Sequence, residues 1–235
     1  METQKFIDSR VSKDHLLDQY EIDKNKILGS GSFGTVYEAC HKKDKSIKIA
    51  IKAVNKSGQS LQDIMLLRRE LRILSKLDNP NIAKYFENYE DEFFIYICME
   101  LCQGGDLEQY IAKNLERPMT EREIANFMVP LLGALNHCHS QKIIHRDIKP
   151  ANIMFDKSKE IKFIDFGVAV AKKDKNAKLG LAGSPLYMSP EVVKGKNYDW
   201  EADIWSLGVT LFFLASFSYP FGVDESQGEG LQDLF

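Results

Sequence analysis

The residues best suited to chemistry in this 235-residue chain fall into a few short runs. His145-Arg146-Asp147-Ile148-Lys149-Pro150-Ala151-Asn152 gathers an acid, cations and an amide within eight residues. A solvated charged loop would explain those charges. It would not explain Asp165-Phe166-Gly167, which arrives 18 residues after Asp147 behind the strand-like stretch 161–164. Earlier in the chain, Gly29-Ser30-Gly31-Ser32-Phe33-Gly34-Thr35-Val36 has the pattern GxGxxGxV, whose glycines let backbone N–H groups approach phosphate oxygens without Cβ obstruction. A dinucleotide-binding turn shares such glycines but needs a helix directly after them. Thr35-Val36-Tyr37 reads as strand, so that alternative loses.

Lys52 ends the strand-like Ile49-Ala50-Ile51-Lys52 and could by itself be a surface lysine. Glu70 changes that reading. Leu67, Glu70 and Leu74 share one helical face, and a carboxylate among apolar neighbours is costly unless a cation meets it. Lys52 is the obvious partner.

The elements that must position these groups can be read from periodicity. Alternation with β-branched and aromatic residues marks strands at 35–37, 47–54 and 93–99. Helical spacing over 61–77 places Leu61, Ile64, Leu67, Leu71 and Leu74 on one side. After Gly104-Gly105 the pattern turns helical, and Thr120-x-x-Glu123 reads as a capping box. It opens a long helix with the core stripe Ile124, Phe127, Met128, Leu131, Leu132, Leu135 and Cys138, bent at Pro130. Strands before helices indicate an α+β protein of two lobes, with the cleft between them as the natural ligand site.

Composition narrows the classes further. With 44% hydrophobic residues the chain can bury a real core, and 31 basic against 34 acidic residues, well mixed, point to neither nucleic acid nor membrane. Cys40, Cys98, Cys102 and Cys138 form no CxxC pair and read as reduced, mostly buried thiols suited to the cytosol. Residues 1–10 lack an apolar signal core and a Met-Gly start, which leaves a cytoplasmic expectation. The apolar run 204–221 is interrupted by Ser206, Gly208, Ser216, Ser218 and Pro220, and reads as a helix buried on all sides rather than a membrane span.

Taken together and in this order, these motifs resemble the eukaryotic protein kinase family over residues 20–235. Ser189-Pro190-Glu191 stands where that family has Ala-Pro-Glu, and Asp203-Ile204-Trp205-Ser206-Leu207-Gly208 resembles its buried central helix. The resemblance implies a bilobal α+β fold with a β-rich N-lobe (20–99), a hinge (100–105) and a mainly helical C-lobe (106–235). A 1–19 extension precedes it, and the C-lobe reads as truncated after the central helix. It further implies ATP and Mg2+ as cofactors. Lys52 would hold the α and β phosphates and be held by Glu70, Asp165 and Asn152 would ligate magnesium, Asp147 would take the substrate hydroxyl proton, and Lys149 would steady the γ-phosphate. By the same resemblance the nucleotide-binding set is Leu28, Gly29, Ser30, Gly31, Ser32, Phe33, Gly34, Val36, Ala50, Lys52, Met99, Glu100, Cys102 and Met154. Adenine would lie between Val36 and Ala50 on one side and Met154 on the other, bonding the backbone of Glu100 and Cys102, with Met99 as gatekeeper. Leu74, Tyr85, His145 and Phe166 would stack as the family's hydrophobic column.

Lys149 within His-Arg-Asp-x-Lys-Pro-x-Asn resembles the serine/threonine branch, which implies protein partners with Ser or Thr acceptors. Met99-Glu100-Leu101-Cys102-x-Gly-Gly-Asp is similar to calcium- and calmodulin-dependent kinases, and Gly-Ser-Pro-Leu-Tyr-Met-Ser-Pro-Glu also suits autophagy-initiating and Nek-like kinases. No EF-hand loop occurs here, so calcium or calmodulin regulation would act through segments outside these residues. An ATP-binding pseudokinase or regulatory scaffold is the rival reading. Its usual signature is loss of the residues that here are Lys52, Asp147 and Asp165, all present. The chain departs from the family between Gly167 and Gly183, where no Ser, Thr or Tyr occurs, so Asp174 is expected to stand in for a loop phosphate opposite Arg146. Ser184 resembles the family's substrate-adjacent threonine that bonds the catalytic loop. Glu191 is expected to pair with an arginine beyond Phe235.

Overall fold

The computed structural model describes residues 13–31, 34–57, 59–114, 116–171 and 182–221. Ser32 and Phe33, Asp174 with the loop around it, and the expected helix start at 231–235 lie outside them. The chain divides into two compact units, Met1–Arg68 with Ala83–Leu101, and Arg69–Ile82 with Cys102–Phe235.

The described part of the first unit opens with a short helix α1 (Lys13–Gln19), which the sequence reading had left as a plain extension. Then come β1 (Tyr20–Gly31), β2 (Gly34–His41) and β3 (Lys48–Asn55), followed by helix α2 (Leu61–Leu74), whose residues from Arg69 on belong to the second unit, and strands β4 (Tyr85–Glu90) and β5 (Phe94–Glu100). The strands form one antiparallel sheet in the order β1-β2-β3-β5-β4. Because side chains alternate across a pleated strand, the sheet has two distinct faces. Ile49, Ile51, Tyr96 and Cys98 pack with Tyr20, Ala39 and Tyr89 on one face, and Leu16 of α1 is fully buried among them. One leucine thus ties the helix ahead of β1 to the core of the sheet.

Helix α2 stops at Leu74, short of the expected residue 77. The N–H groups of Lys76 and Leu77 bond Ile73 and Leu74 carbonyls three residues back, tightening the last turn before Asn79-Pro80.

The second unit holds α3 (Leu107–Asn114), α4 (Glu121–Ser140), the short strand pairs β6 (Ile143–Ile144) with β9 (Val170–Ala171) and β7 (Ile153–Phe155) with β8 (Ile161–Phe163), then α5 (Pro190–Val193) and α6 (Glu201–Ser216). The capping box is formed. Thr120 Oγ1 accepts from the Glu123 N–H, and the Glu123 carboxylate accepts from the Thr120 N–H at 2.7 Å. The α4 stripe is correct at Ile124, Met128, Leu131, Leu135 and Cys138, all buried, while Leu132 is exposed and Ala134 takes the inward position. Leu132 lies about 100° round the helix from Leu131, beyond the edge of the buried arc, which extends the other way to Ala134 instead.

The expectation of a helix buried on all sides over 204–221 is corrected. α6 ends at Ser216, where Phe217 adopts a left-handed cap (φ 55°), and Ile204, Leu211 and Phe212 are exposed. These three recur on one face that no described element covers, whereas Ala202, Asp203, Ser206, Leu207, Val209, Thr210 and Leu214 turn inward. Apolar composition had signalled burial without saying which sides are packed. No helix among the described residues is long and apolar enough to cross a membrane.

Candidate active site

In the first unit the described glycines of the glycine-rich run lie on paired positions of β1 and β2, with Gly29 opposite Val36 and Gly31 opposite Gly34. Gly34 has φ 143°, and a Cβ there would lie 2.2 Å from the Ala53 carbonyl oxygen, so only glycine fits this approach to β3. Directly opposed residues share a face of the sheet. Val36 lies opposite Lys52, Lys52 opposite Ile97, and Ala50 opposite Met99. Val36, Ala50, Lys52 and Met99 therefore sit on one face, the one turned away from the Leu16 cluster. Leu28 is half exposed beside the hairpin. At the end of β5 the Glu100 N–H is taken by the Lys84 carbonyl at 2.8 Å.

In the second unit the chemistry is concentrated around Asp147. Its Oδ1 accepts from the Ser184 hydroxyl at 2.8 Å, and its Oδ2 accepts from the Asn152 amide at 2.7 Å and lies 3.0 Å from the Lys149 ammonium. Lys149 also donates to Ser184 Oγ at 2.6 Å, closing a triangle of carboxylate, ammonium and hydroxyl. Burial alone would raise the Asp147 carboxyl, but the hydrogen bonds from Ser184, Lys149 and Asn152 and the Lys149 charge outweigh it and hold the group below the usual carboxylate range. Asp147 is therefore an ionised carboxylate at neutral pH, ready to accept a proton.

Both N–H groups of the Asn152 amide point at Asp147, to its carbonyl and its carboxylate, which leaves the amide oxygen as the outward end. Asp165 turns its Oδ1 to the Gly167 N–H at 2.9 Å. The Glu70 carboxylate, buried, comes within 3.8 Å of where a Cβ on Gly167 would stand. Phe166 and His145 are fully buried with ring centroids 4.6 Å apart, and Leu74 is buried. Burial holds His145 below its usual titration range despite three nearby aspartates, so its ring is neutral. Met154 lies on β7 opposite Lys162, half-buried, and bridges to Asp106, while Cys102 is half-buried just after β5.

The model of the protein kinase domain matches residues 22–234. This chain belongs to the protein kinase family. Among its relatives are calcium-dependent protein kinase 5 of Plasmodium berghei (strain Anka), 40% identical over 90% of this chain, and the serine/threonine-protein kinase Nek8 of Danio rerio, 35% identical over 87%. The serine/threonine-protein kinase ULK1 of Homo sapiens is 32% identical over 89% of it. The chain spans 37%, 29% and 20% of those three proteins' own lengths. The resemblance to the serine/threonine branch is borne out.

One residue that holds the Asp147 loop was named from sequence only as the head of the central-helix motif, with no role given to it. Asp203, fully buried near the start of α6, accepts from the backbone N–H groups of His145 (2.9 Å) and Arg146 (2.8 Å) and bonds His139 Nε2 at 2.8 Å. It pins the loop that carries Asp147 from beneath. The available signal was a carboxylate heading an otherwise apolar run, which a buried helix can hold only when donors surround it.

Proposed function

We propose that this chain transfers the γ-phosphate of ATP to serine and threonine hydroxyls of protein substrates. The observation that carries the proposal is the Asp147 carboxylate, ionised and bonded by Ser184, Lys149 and Asn152. In the reaction the substrate hydroxyl oxygen bonds the γ-phosphorus, the bond from that phosphorus to the ADP oxygen breaks, and the hydroxyl proton passes to Asp147. Lys149, beside that carboxylate, places a positive charge where the migrating phosphoryl group is negative. Lys52 has the role of cation for the α and β phosphates.

The residues present fit a magnesium ion. Asp165 supplies a carboxylate and Asn152 an amide oxygen whose nitrogen is already engaged, and hard oxygen donors of this kind suit Mg2+, with phosphates and water completing the shell. When bound, the ion would neutralise phosphate charge. The Glu100 N–H being taken, that residue would meet adenine through its carbonyl, and Cys102 through its N–H.

The test is magnesium-dependent transfer of labelled γ-phosphate to a panel of serine and threonine peptides, with the Asp147→Asn variant alongside. Transfer by the wild type that falls by at least about a thousandfold in the variant supports the proposal. ATP binding without transfer would support the scaffold reading instead.

A further inference from the structure

Arg146, next to Asp147, is held in an unusual way. Its backbone is left-handed (φ 72°), a conformation that is strained for a non-glycine residue and persists only where the surroundings impose it. Asp203 accepts its N–H, and Gly183 presses so close to its carbonyl that a Cβ there would stand 2.3 Å from the oxygen. The side chain is tied as well. Arg146 Nε donates to the Val168 carbonyl at 2.5 Å, and a terminal nitrogen donates to the Tyr198 hydroxyl at 3.1 Å. The Tyr198 ring in turn packs against Met188, Val192 and Ala202, so its hydroxyl is presented from a fixed base. Arg146 and Tyr198 line one small cavity with Ala182, Met188, Ser189 and Val192.

Residues 168–182 contain no Ser, Thr or Tyr, so no phosphate can be attached to that stretch through a hydroxyl. Resting on the kinase reading above, we infer that Tyr198 is a positioning residue for phosphoryl transfer: with the Val168 carbonyl it holds Arg146, and through it the Asp147 backbone, without a phosphorylated partner. A half-buried guanidinium needs acceptors, and here a hydroxyl and a peptide carbonyl provide them. Losing the hydroxyl removes one of the two acceptors that tie the side chain, which loosens the strained Arg146 backbone and Asp147 with it.

Tyr198→Phe tests this, because it keeps the ring and removes only the hydroxyl. The expected result is a kcat lower by about tenfold, the kinetic equivalent of one charge-assisted hydrogen bond, with KM for ATP unchanged. In an Arg146→Lys background the same substitution adds no further loss, since it acts through the arginine. Phosphatase treatment leaves the wild-type rate unchanged. Full activity in Tyr198→Phe, an equal further loss in the Arg146→Lys background, or inactivation by phosphatase would each overturn the inference. Hydrogen exchange at the amides of 145–149 is read on the same proteins. Faster exchange there in Tyr198→Phe is expected, and unchanged exchange contradicts the inference even if the wild type transfers no phosphate, an outcome that would sink the kinase reading separately.

Discussion

The hydroxyl of Ser184 lies between the carboxylate and the ammonium that the proposed reaction depends on, so small changes there have large consequences. Ser184→Ala removes a donor to Asp147 and is expected to lower kcat severalfold. Ser184→Glu or phosphorylation sets a second negative charge against Asp147 and should abolish transfer, read in the same peptide assay. Asp147 also links stability to pH. Its folded pKa is depressed, so its contribution is present above the unfolded value of about 3.9 and lost as pH falls through the lower folded value. The melting-temperature difference between wild type and Asp147→Asn should be constant from about pH 7 to 5 and change only below about pH 4. Ser189 is a different case. It is buried, and its hydroxyl has no hydrogen-bond partner among the described residues, an arrangement that costs about 1 kcal/mol or more. Ser189→Ala, which restores the family's residue, should therefore raise the melting temperature by a few degrees. At this scale the site was legible where its residues adjoin in sequence, as Asp147, Lys149 and Asn152 do. It was less so where a partner arrives from afar, as Asp203 does, because neither spacing nor periodicity encodes a contact across 57 or 58 residues.

Elements were legible to the extent that periodicity and caps dictate them. The capping box at Thr120 gave the start of α4 because reciprocal side-chain bonds need only four consecutive residues. The strands read from alternation at 35–37, 47–54 and 93–99 fall on β2, β3 and β5, since alternation encodes a pleat with one buried face, whereas β1 and β4 were not located by it. The end of α2 was set by tightened turns ahead of Asn79-Pro80, which a stripe of leucines does not show. Helix α1 was missed because seven residues are too few for a period and Leu16-Leu17 sits in a polar stretch. Its burial has a measurable consequence. Leu16→Ala should cost about 2–5 kcal/mol in denaturant unfolding, far more than a residue of a loose tail would. The cysteines divide by element in the same way. Cys98 on β5 and Cys138 on α4 are buried, and burial pushes the Cys138 thiol up to about 12 and the Cys98 thiol higher still. Iodoacetamide on the folded protein, followed by mass spectrometry, should label Cys40 and Cys102 and leave those two unmodified.

Across the whole chain, the order of strands then helices was enough to read an α+β protein, and the motif order was enough to recognise the family. Hydrophobic content did not reveal that α6 leaves Ile204, Leu211 and Phe212 exposed, because it measures how much a helix can bury and not what packs against it. The proposed chemistry rests on Asp147 receiving the proton of an aliphatic hydroxyl as phosphate is transferred to that hydroxyl. Phosphoamino-acid analysis of a mixed Ser/Thr/Tyr peptide pool, after incubation with the chain, ATP and magnesium, tests that step most directly. Phosphoserine and phosphothreonine are expected, with no phosphotyrosine, and none of these with Asp147→Asn. Phosphotyrosine as the main product, or equal labelling by the variant, would contradict the proposed chemistry.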